Sequence, residues 1–367
     1  MHSMPPSHQR QSVSRPSRRT PGGLLLPLHA TLKGRVRWQV LDERGVPEVP
    51  RTPSGVAVGP VEGVAQVNLI TDLGLDRLAE LNFFERSPTS TLAWRRRLAV
   101  GTGSTAPDIS DTTLDNEVQR ASTSGTFSNG TNTYAYESGD EVFRAVSRVT
   151  RIATMTADRN LTEFGLAQNT TGDILIRELL RDGGGTPITV SLLNGKTLRL
   201  DHDLTVEVPA PPAGATTTID VEEYDAGNNL VATTPYDVTY GPRAHSAHVS
   251  YLLEIGQGMM NPRNLAGRPK RISSAATYAP LLSLSTDTLA NANAPAASAY
   301  ATGTYTRTRS YTVPVGDGNG DWYGYHFDTS GGTNGGGFVA LFTSPATYTK
   351  VNTDTLRISY RLTWARA

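Results

Sequence analysis

The residues of this chain that could do chemistry lie in short polar clusters, and each cluster has a structural reading beside the chemical one. GTGSTAP (101–107) has the glycine-rich look of a phosphate-cradling loop. It lacks the lysine of a GxxxxGK(S/T) loop and the third glycine of a GxGxxG turn, so a β-turn linking two strands is the better reading. DGNGDWYGYHFD (317–328) puts Asp317, Asn319 and Asp321 at the first three ligand positions of a calcium loop. Trp322 stands where that loop needs glycine, Asp328 stands where it needs glutamate, and both flanks are strand-like. A polar hairpin tip is expected there instead of a bound cation. His245 and His248 are three residues apart in a segment that alternates like a strand. Strand geometry sends the two rings to opposite faces, which argues against a shared metal.

Glycoside hydrolysis needs two carboxylates at a defined separation in a cleft. Glu222-Glu223 and Asp201/Asp203 are acidic pairs, but solvent-facing strand positions explain both, and no GxSxG elbow is present. Trp322, Tyr323, Tyr325 and Phe327, with His326 among them, form a dense aromatic strand. Core or subunit contact is expected there in preference to a sugar platform. Arg95-Arg96-Arg97 could touch nucleic acid, but Lys plus Arg (34) balances Asp plus Glu (34), so contact with acidic neighbouring subunits is expected instead. The chain has no cysteine, which excludes disulfides and thiolate chemistry. The sequence therefore assigns no catalytic, cofactor-binding or metal-binding residue, and no cofactor.

The elements that carry these clusters are mostly strands. The chain has 367 residues, with 35 Gly and 23 Pro among many Thr, Ser and Asn, a composition of short strands and frequent turns. No run nears the roughly 18 apolar residues that span a bilayer, and Leu24-Leu25-Leu26 is too short for a signal-peptide core, so no membrane partner and no secretory route are expected. Residues 1–23 are basic and almost devoid of apolar side chains, with Arg10, Arg15, Arg18 and Arg19 and no acid. They read as an extended arm that orders by threading over neighbouring subunits. Residues 24–67 read as a small β-unit with Val36, Trp38 and Val40 on one face and a turn at Glu43-Arg44-Gly45. Residues 68–84 have helical leucine spacing, with Thr71 or Asp72 as N-cap. VFRAVSRVTRIATMTA (142–157) alternates as a long strand, and DILIRELL (173–180) is a strand or short amphipathic segment. Segments 183–190 and 197–208 read as a strand pair joined through Asn194-Gly195. After a proline-rich break at 209–215, residues 216–241 read as a hairpin turning at Ala226-Gly227-Asn228, an insertion with no counterpart elsewhere.

The chain also repeats itself. TPITVSLLNGKTLRLDHDLT (186–205) aligns without a gap with SPATYTKVNTDTLRISYRLT (344–363), and eight of the twenty positions are identical. Two weaker echoes accompany it: 285–295 with 109–119, and 304–315 with 147–157, the latter setting Arg307/Arg309 against Arg148/Arg151. The expected fold is mainly β: two tandem related β-sandwich-like domains, at 68–208 and 244–367, preceded by the arm and the small β-unit, with the hairpin and linker at 209–243 between them.

In the first copy, NLITDLGLDRLAE (68–80), LAVGTGSTAPDISDTTLDNEV (98–118), NLTEFGLAQNTTGDILIRELL (160–180) and KTLRLDHDLTVEV (196–208) follow one another. This order resembles a group of tailed-bacteriophage structural proteins described as tail-fibre-like or virion proteins. The resemblance covers about residues 66–208 and reaches the second copy through its closing strand, where DWYGYHF (321–327) replaces T-E-F-G-L. It implies a non-enzymatic virion component, tail or tail-fibre associated, localised to the particle and assembled in the bacterial host cytoplasm. Its implied partners are other virion proteins held by the arm, further copies of itself, and host surface glycan as a further candidate, with no specific nucleic acid. A capsid decoration or head-fibre protein is the alternative position, and a glycan-binding or glycan-degrading adsorption protein the alternative activity.

Overall fold

The computed structural model describes residues 24–48, 66–81, 93–121, 132–211, 215–225, 227, 229–243, 269–278, 286–288, 296–297, 300–328 and 337–367. The expected arm, the His245/His248 pair and the glycine-rich stretch 330–336 lie outside them. The described chain is mainly β, with curled antiparallel sheets in a sandwich-like arrangement and one short helix. No helix among the described residues is long and apolar enough to cross a bilayer.

Strand pairing divides the elements into two units. The first contains β1 (Leu24–Leu41), β2 (Gln66–Ile70), α1 (Asp72–Arg77), β3 (Arg97–Gly101), β4 (Glu117–Arg120), β5 (Asn132–Glu137), β6 (Val142–Thr154), β7 (Arg159–Leu161), β8 (Glu163–Ala167), β9 (Ile174–Leu179), β10 (Val190–Leu192) and β11 (Thr197–Pro209). The second contains β12 (Thr217–Tyr224), β13 (Leu230–Arg243), β14 (Pro269–Ile272), β15 (Thr286–Thr288), β16 (Ala296–Ala297), β17 (Thr306–Val313), β18 (Gly320–Trp322), β19 (Gly324–Asp328), β20 (Gly337–Ser344), β21 (Tyr348–Lys350) and β22 (Thr355–Arg366).

Nine pairings build the first unit. They are β1 with β2 and β11, β2 with β9, β3 with β4 and β8, β5 with β6, β6 with β11, β7 with β10, and β8 with β9. All nine recur in the second unit when each strand number is raised by eleven. The duplication read from twenty residues is thus an eleven-strand repeat. One pairing has no counterpart among the described residues: Leu24–Leu32 of β1 runs parallel to Ile358–Arg366 of β22 and joins the units.

This topology changes several expectations. The hairpin β12–β13 is not an insertion. It stands to β22 and β20 as β1 and β2 stand to β11 and β9. Residues 24–41 form no separate unit, because β1 lies between β11 on one edge and β22 and β2 on the other. The Asn194-Gly195 turn is real, with Gly195 at φ +85°, but its flanking strands do not pair with each other. β10 pairs with β7, while β11 pairs with β1 and β6. The paired arginines are not equivalent either: Arg307 faces Leu362 in the register where Ser147 faces Leu204. β15 corresponds to β4, not to the Ser110–Thr112 stretch that the echo aligned with it.

The helix is shorter than its leucine spacing predicts. Asn68 pairs with Gly34 of β1, while Leu69 and Ile70 pair with Arg177 and Ile176 of β9, so the sheet takes the first turn of the pattern. Thr71 then caps α1, its Oγ1 accepting the Gly74 N–H at 3.0 Å. Gly74 is required by proximity: a Cβ there would lie 2.2 Å from the Leu175 carbonyl oxygen. The long strand β11 alternates cleanly. In β11, Leu198, Leu200, Leu204 and Val206 are buried and the residues between them face solvent, except His202, which shares the inward face. One apolar cluster runs through both units and contains Trp38, Trp94, Trp322 and Trp364.

The second unit also grips α1 and the turn that follows it. Trp364 Nε1 donates to Leu75 O at 2.9 Å, Arg307 Nη1 donates to Ala79 O at 2.7 Å, and the Gly303 N–H donates to Asp76 Oδ1 at 2.8 Å. Tyr300 donates to Asp76, and its ring stacks on Trp364 with centroids 5.7 Å apart.

Candidate functional site

Three sequence motifs of the first copy converge on one buried carboxylate. Glu163, fully buried in β8, accepts backbone N–H groups from Gly103 at 3.0 Å, Asp115 at 3.1 Å and Asn116 at 2.9 Å. Arg177 of β9 donates its Nε to the same carboxylate at 3.0 Å. Its other nitrogens reach Asp111 Oδ2 at 2.6 Å and Thr105 O at 3.1 Å. Burial acts to lower the Arg177 pKa, but Asp111 and Glu163 outweigh it and the net shift is upward. GTG, DTTLDN and TEFGL are therefore three parts of one clamp. The loop from Gly101 to Glu117 is folded around Glu163 by charge-assisted hydrogen bonds in a dry site.

Two glycines are fixed by the same carboxylate. A Cβ on Gly101 would lie 2.5 Å from Glu163 Oε1, and one on Gly103 would lie 2.4 Å from the same atom. The loop joining β3 to β4 is longer than the β-turn expected, and the Gly103 N–H that a phosphate would need is already given to Glu163.

A second polar cluster lies between the layers of the first unit. Arg95, fully buried, donates to Ser147 O at 2.9 Å, Ser147 Oγ at 2.8 Å and His202 Nδ1 at 2.8 Å. Arg151 Nε donates to Arg95 O at 2.7 Å. Burial, with Arg151 nearby, pulls the Arg95 pKa down to about 9, and burial pulls Arg151 down to about 10. An arginine donor at Nδ1 makes that nitrogen an acceptor, so His202 is neutral with its proton on Nε2. Burial, then the charges of Arg95 and Arg151, hold the His202 pKa well below the usual value. Arg95 and Arg97 are thus core residues and form no surface for nucleic acid or acidic neighbours, contrary to expectation.

The His202 environment gives a pH prediction. The unfolded ring protonates near about 6.5, while the folded ring does not. The unfolded state then binds more protons, and stability falls as pH drops below that value. His202→Asn keeps an acceptor near Nδ1 but cannot titrate. Between pH 6.5 and 5, wild type should lose more unfolding free energy than the variant, by up to about 1.4 kcal/mol per pH unit. Parallel urea titrations that gave identical pH slopes for the two proteins would exclude this.

The other sequence candidates are dispersed. Residues 314–319 connect β17 to β18, which belong to different sheets, so the expected hairpin tip is a crossover between layers. Asn319 Oδ1 accepts Lys350 Nζ at 3.2 Å, and Asp321 Oδ1 accepts Thr349 Oγ1 at 2.6 Å. Burial lowers the pKa of Lys350, whose ammonium occupies the Asn319 oxygen that a cation would need. No group of three or more metal-ligating side chains occurs among the described residues. Asp203 pairs with Arg148 and Asp201 with Arg199 on the open face of β11. Glu222 accepts from Tyr224. Trp322 and Tyr325 are buried in the core, as the aromatic pattern predicts, and Trp322 Nε1 donates to Gly318 O at 2.7 Å.

Sequence reasoning missed the Arg95–His202 cluster. Its signal was available, since period-two alternation puts His202 on the face of Leu200 and Leu204. The partners Arg95 and Ser147 are distant in sequence and carry no such mark. Comparison with family models, with curated proteins and with solved structures gives no match.

Proposed function

We propose that this chain is a non-enzymatic structural component of a bacteriophage virion, tail or tail-fibre associated, and anchored to neighbouring subunits by residues 1–23. The observation that carries the reading is the Glu163 clamp. The motifs shared with the phage proteins hold a loop in place, and their chemistry is used within the fold. The eleven-strand repeat is consistent with this role, because doubling a β-unit doubles the surface available for assembly without requiring a new fold.

The test is localisation on the particle. Gold-labelled antibody against this protein should decorate the tail in negative-stain images. Labelling confined to the capsid would replace the tail with a decoration or head-fibre position, and no labelling of purified particles would sink the virion reading altogether. Release of sugar from host polysaccharide by the purified protein, abolished by alanine at an acidic residue, would overturn the non-enzymatic part.

A further inference from the structure

The outward face of the strands β6, β11 and β1 carries its charges in cross-strand rows. Arg35 of β1 lies opposite Asp203 of β11, which lies opposite Arg148 of β6. In the next row Arg37 faces Asp201, and Asp201 faces Thr150. Both aspartates are already engaged. Arg148 grips Asp203 with two hydrogen bonds, to Oδ1 at 2.6 Å and to Oδ2 at 2.7 Å. Asp201 Oδ1 accepts Thr150 Oγ1 at 2.5 Å, and its Oδ2 lies 3.1 Å from Arg199 Nη2. Arg35 and Arg37 are exposed, and neither side chain has a hydrogen-bond or ion-pair partner among the described residues.

A cleft of about 140 Å³ opens among these rows, lined by the residues just named and by no apolar side chain. Four arginines against two aspartates leave it two positive charges in excess. The size and the charge together select the ligand. The volume is below the roughly 300–1,000 Å³ of sites that enclose a whole small molecule, so the cleft suits one compact group instead of a sugar ring or a base. A carboxylate has two oxygens, and one arginine occupies both, as Arg148 does with Asp203. Arg35 and Arg37 stand two residues apart on one face of β1, about 6.7 Å along the strand. A tetrahedral oxyanion has four oxygens and can take paired N–H donors from both guanidiniums at once.

We propose that this cleft binds a doubly charged tetrahedral oxyanion, a sulfate or phosphate group, between Arg35 and Arg37. The Arg148–Asp203 and Arg199–Asp201 pairs neutralise the two acids, so the cleft presents its excess positive charge to the ligand. The bound anion would also relieve the repulsion between two unpaired cations on neighbouring outward positions. The assignment does not rest on the virion reading, since it concerns the purified chain alone.

The test titrates the full chain, in Tris buffer at pH 8 and fixed ionic strength, with sulfate, inorganic phosphate, glycerol 3-phosphate and acetate, by calorimetry. Saturable binding of sulfate or phosphate and none of acetate is expected. Binding of sulfate without either phosphate probe would narrow the site to sulfate. Tighter binding of inorganic phosphate than of its glycerol ester would assign it to the free ion, and equal or tighter binding of the ester to a phosphate group carried on a larger molecule. Arg35→Gln and Arg37→Gln should each weaken binding about tenfold and leave Tm unchanged without the anion, because both side chains are exposed and unpaired. Lys33→Gln makes the same charge change on the same strand, but Lys33 pairs with Glu207 outside the cleft, so the affinity should hold. Absence of saturable binding, equal binding of acetate, unchanged affinity in both arginine variants, an equal loss in Lys33→Gln, or a Tm lowered by either arginine substitution would each overturn the proposal.

Discussion

Replacing Glu163 with alanine should destabilise the first unit by about 3–5 kcal/mol, the cost typical of breaking a buried ion pair from one side. The substitution strands Arg177 in a site where it is 2% exposed, and it leaves the Gly103, Asp115 and Asn116 N–H groups without an acceptor. Glu163→Gln keeps the shape and one carbonyl acceptor, so its cost should be smaller, about 1–3 kcal/mol. Removing both charges with Glu163→Leu and Arg177→Met should cost less than the sum of the single changes, because neither member of the buried pair is then left as an unpaired charge, and Asp111, which also loses Arg177, is partly open to solvent. It should still be destabilising, since the three backbone donors remain orphaned. Urea unfolding of wild type, Glu163→Leu, Arg177→Met and the double variant measures this cycle. Additive single and double effects would mean that the clamp does not act as a unit.

The second large effect is expected at Trp364. The side chain is 1% exposed, donates to the carbonyl of Leu75 in α1, and stacks on Tyr300. Trp364→Ala should remove about 3–5 kcal/mol through the lost burial and the cavity left behind. The location matters more than the size. One apolar cluster passes through both units, so wild type should unfold in a single calorimetric transition. In the variant the contact between α1 and β22 is lost, and the transition should split in two. A single transition at the wild-type Tm would show that the parallel β1–β22 seam suffices to couple the units.

Much of this architecture could be read locally. The alternation in 142–157 and 197–208 marks β6 and β11, and the Ala226-Gly227-Asn228 turn signal predicts the pairing of β12 with β13. The closing-strand repeat reports the duplication because Leu198 and Leu356 occupy matching core positions, opposite Ala153 and Val313. What local reading lost is set by distant partners. Asn68, Leu69 and Ile70 carry a helical pattern, yet β1 and β9 recruit them as a strand. Asn194-Gly195 carries a hairpin signal, yet the strands on either side have better partners in β7 and β6. The Glu163 clamp shows the same limit at the level of sites. Its three motifs are visible in the sequence, but only their meeting reveals that the carboxylate is the hub and the glycines are the space left for it.

The shared strand β1 has a consequence for how the molecule is made. Leu24 pairs with Ile358, which lies more than three hundred residues further along the chain. At ribosomal speeds of about 5–20 residues per second, β1 waits roughly 17–70 seconds for that partner. Throughout that interval its first half is an unclaimed apolar edge, able to pair with another nascent chain on the same message. The seam between the units therefore also times biogenesis: the first unit can close on β11 while the ribosome is still translating, but the joint is sealed only when β22 emerges.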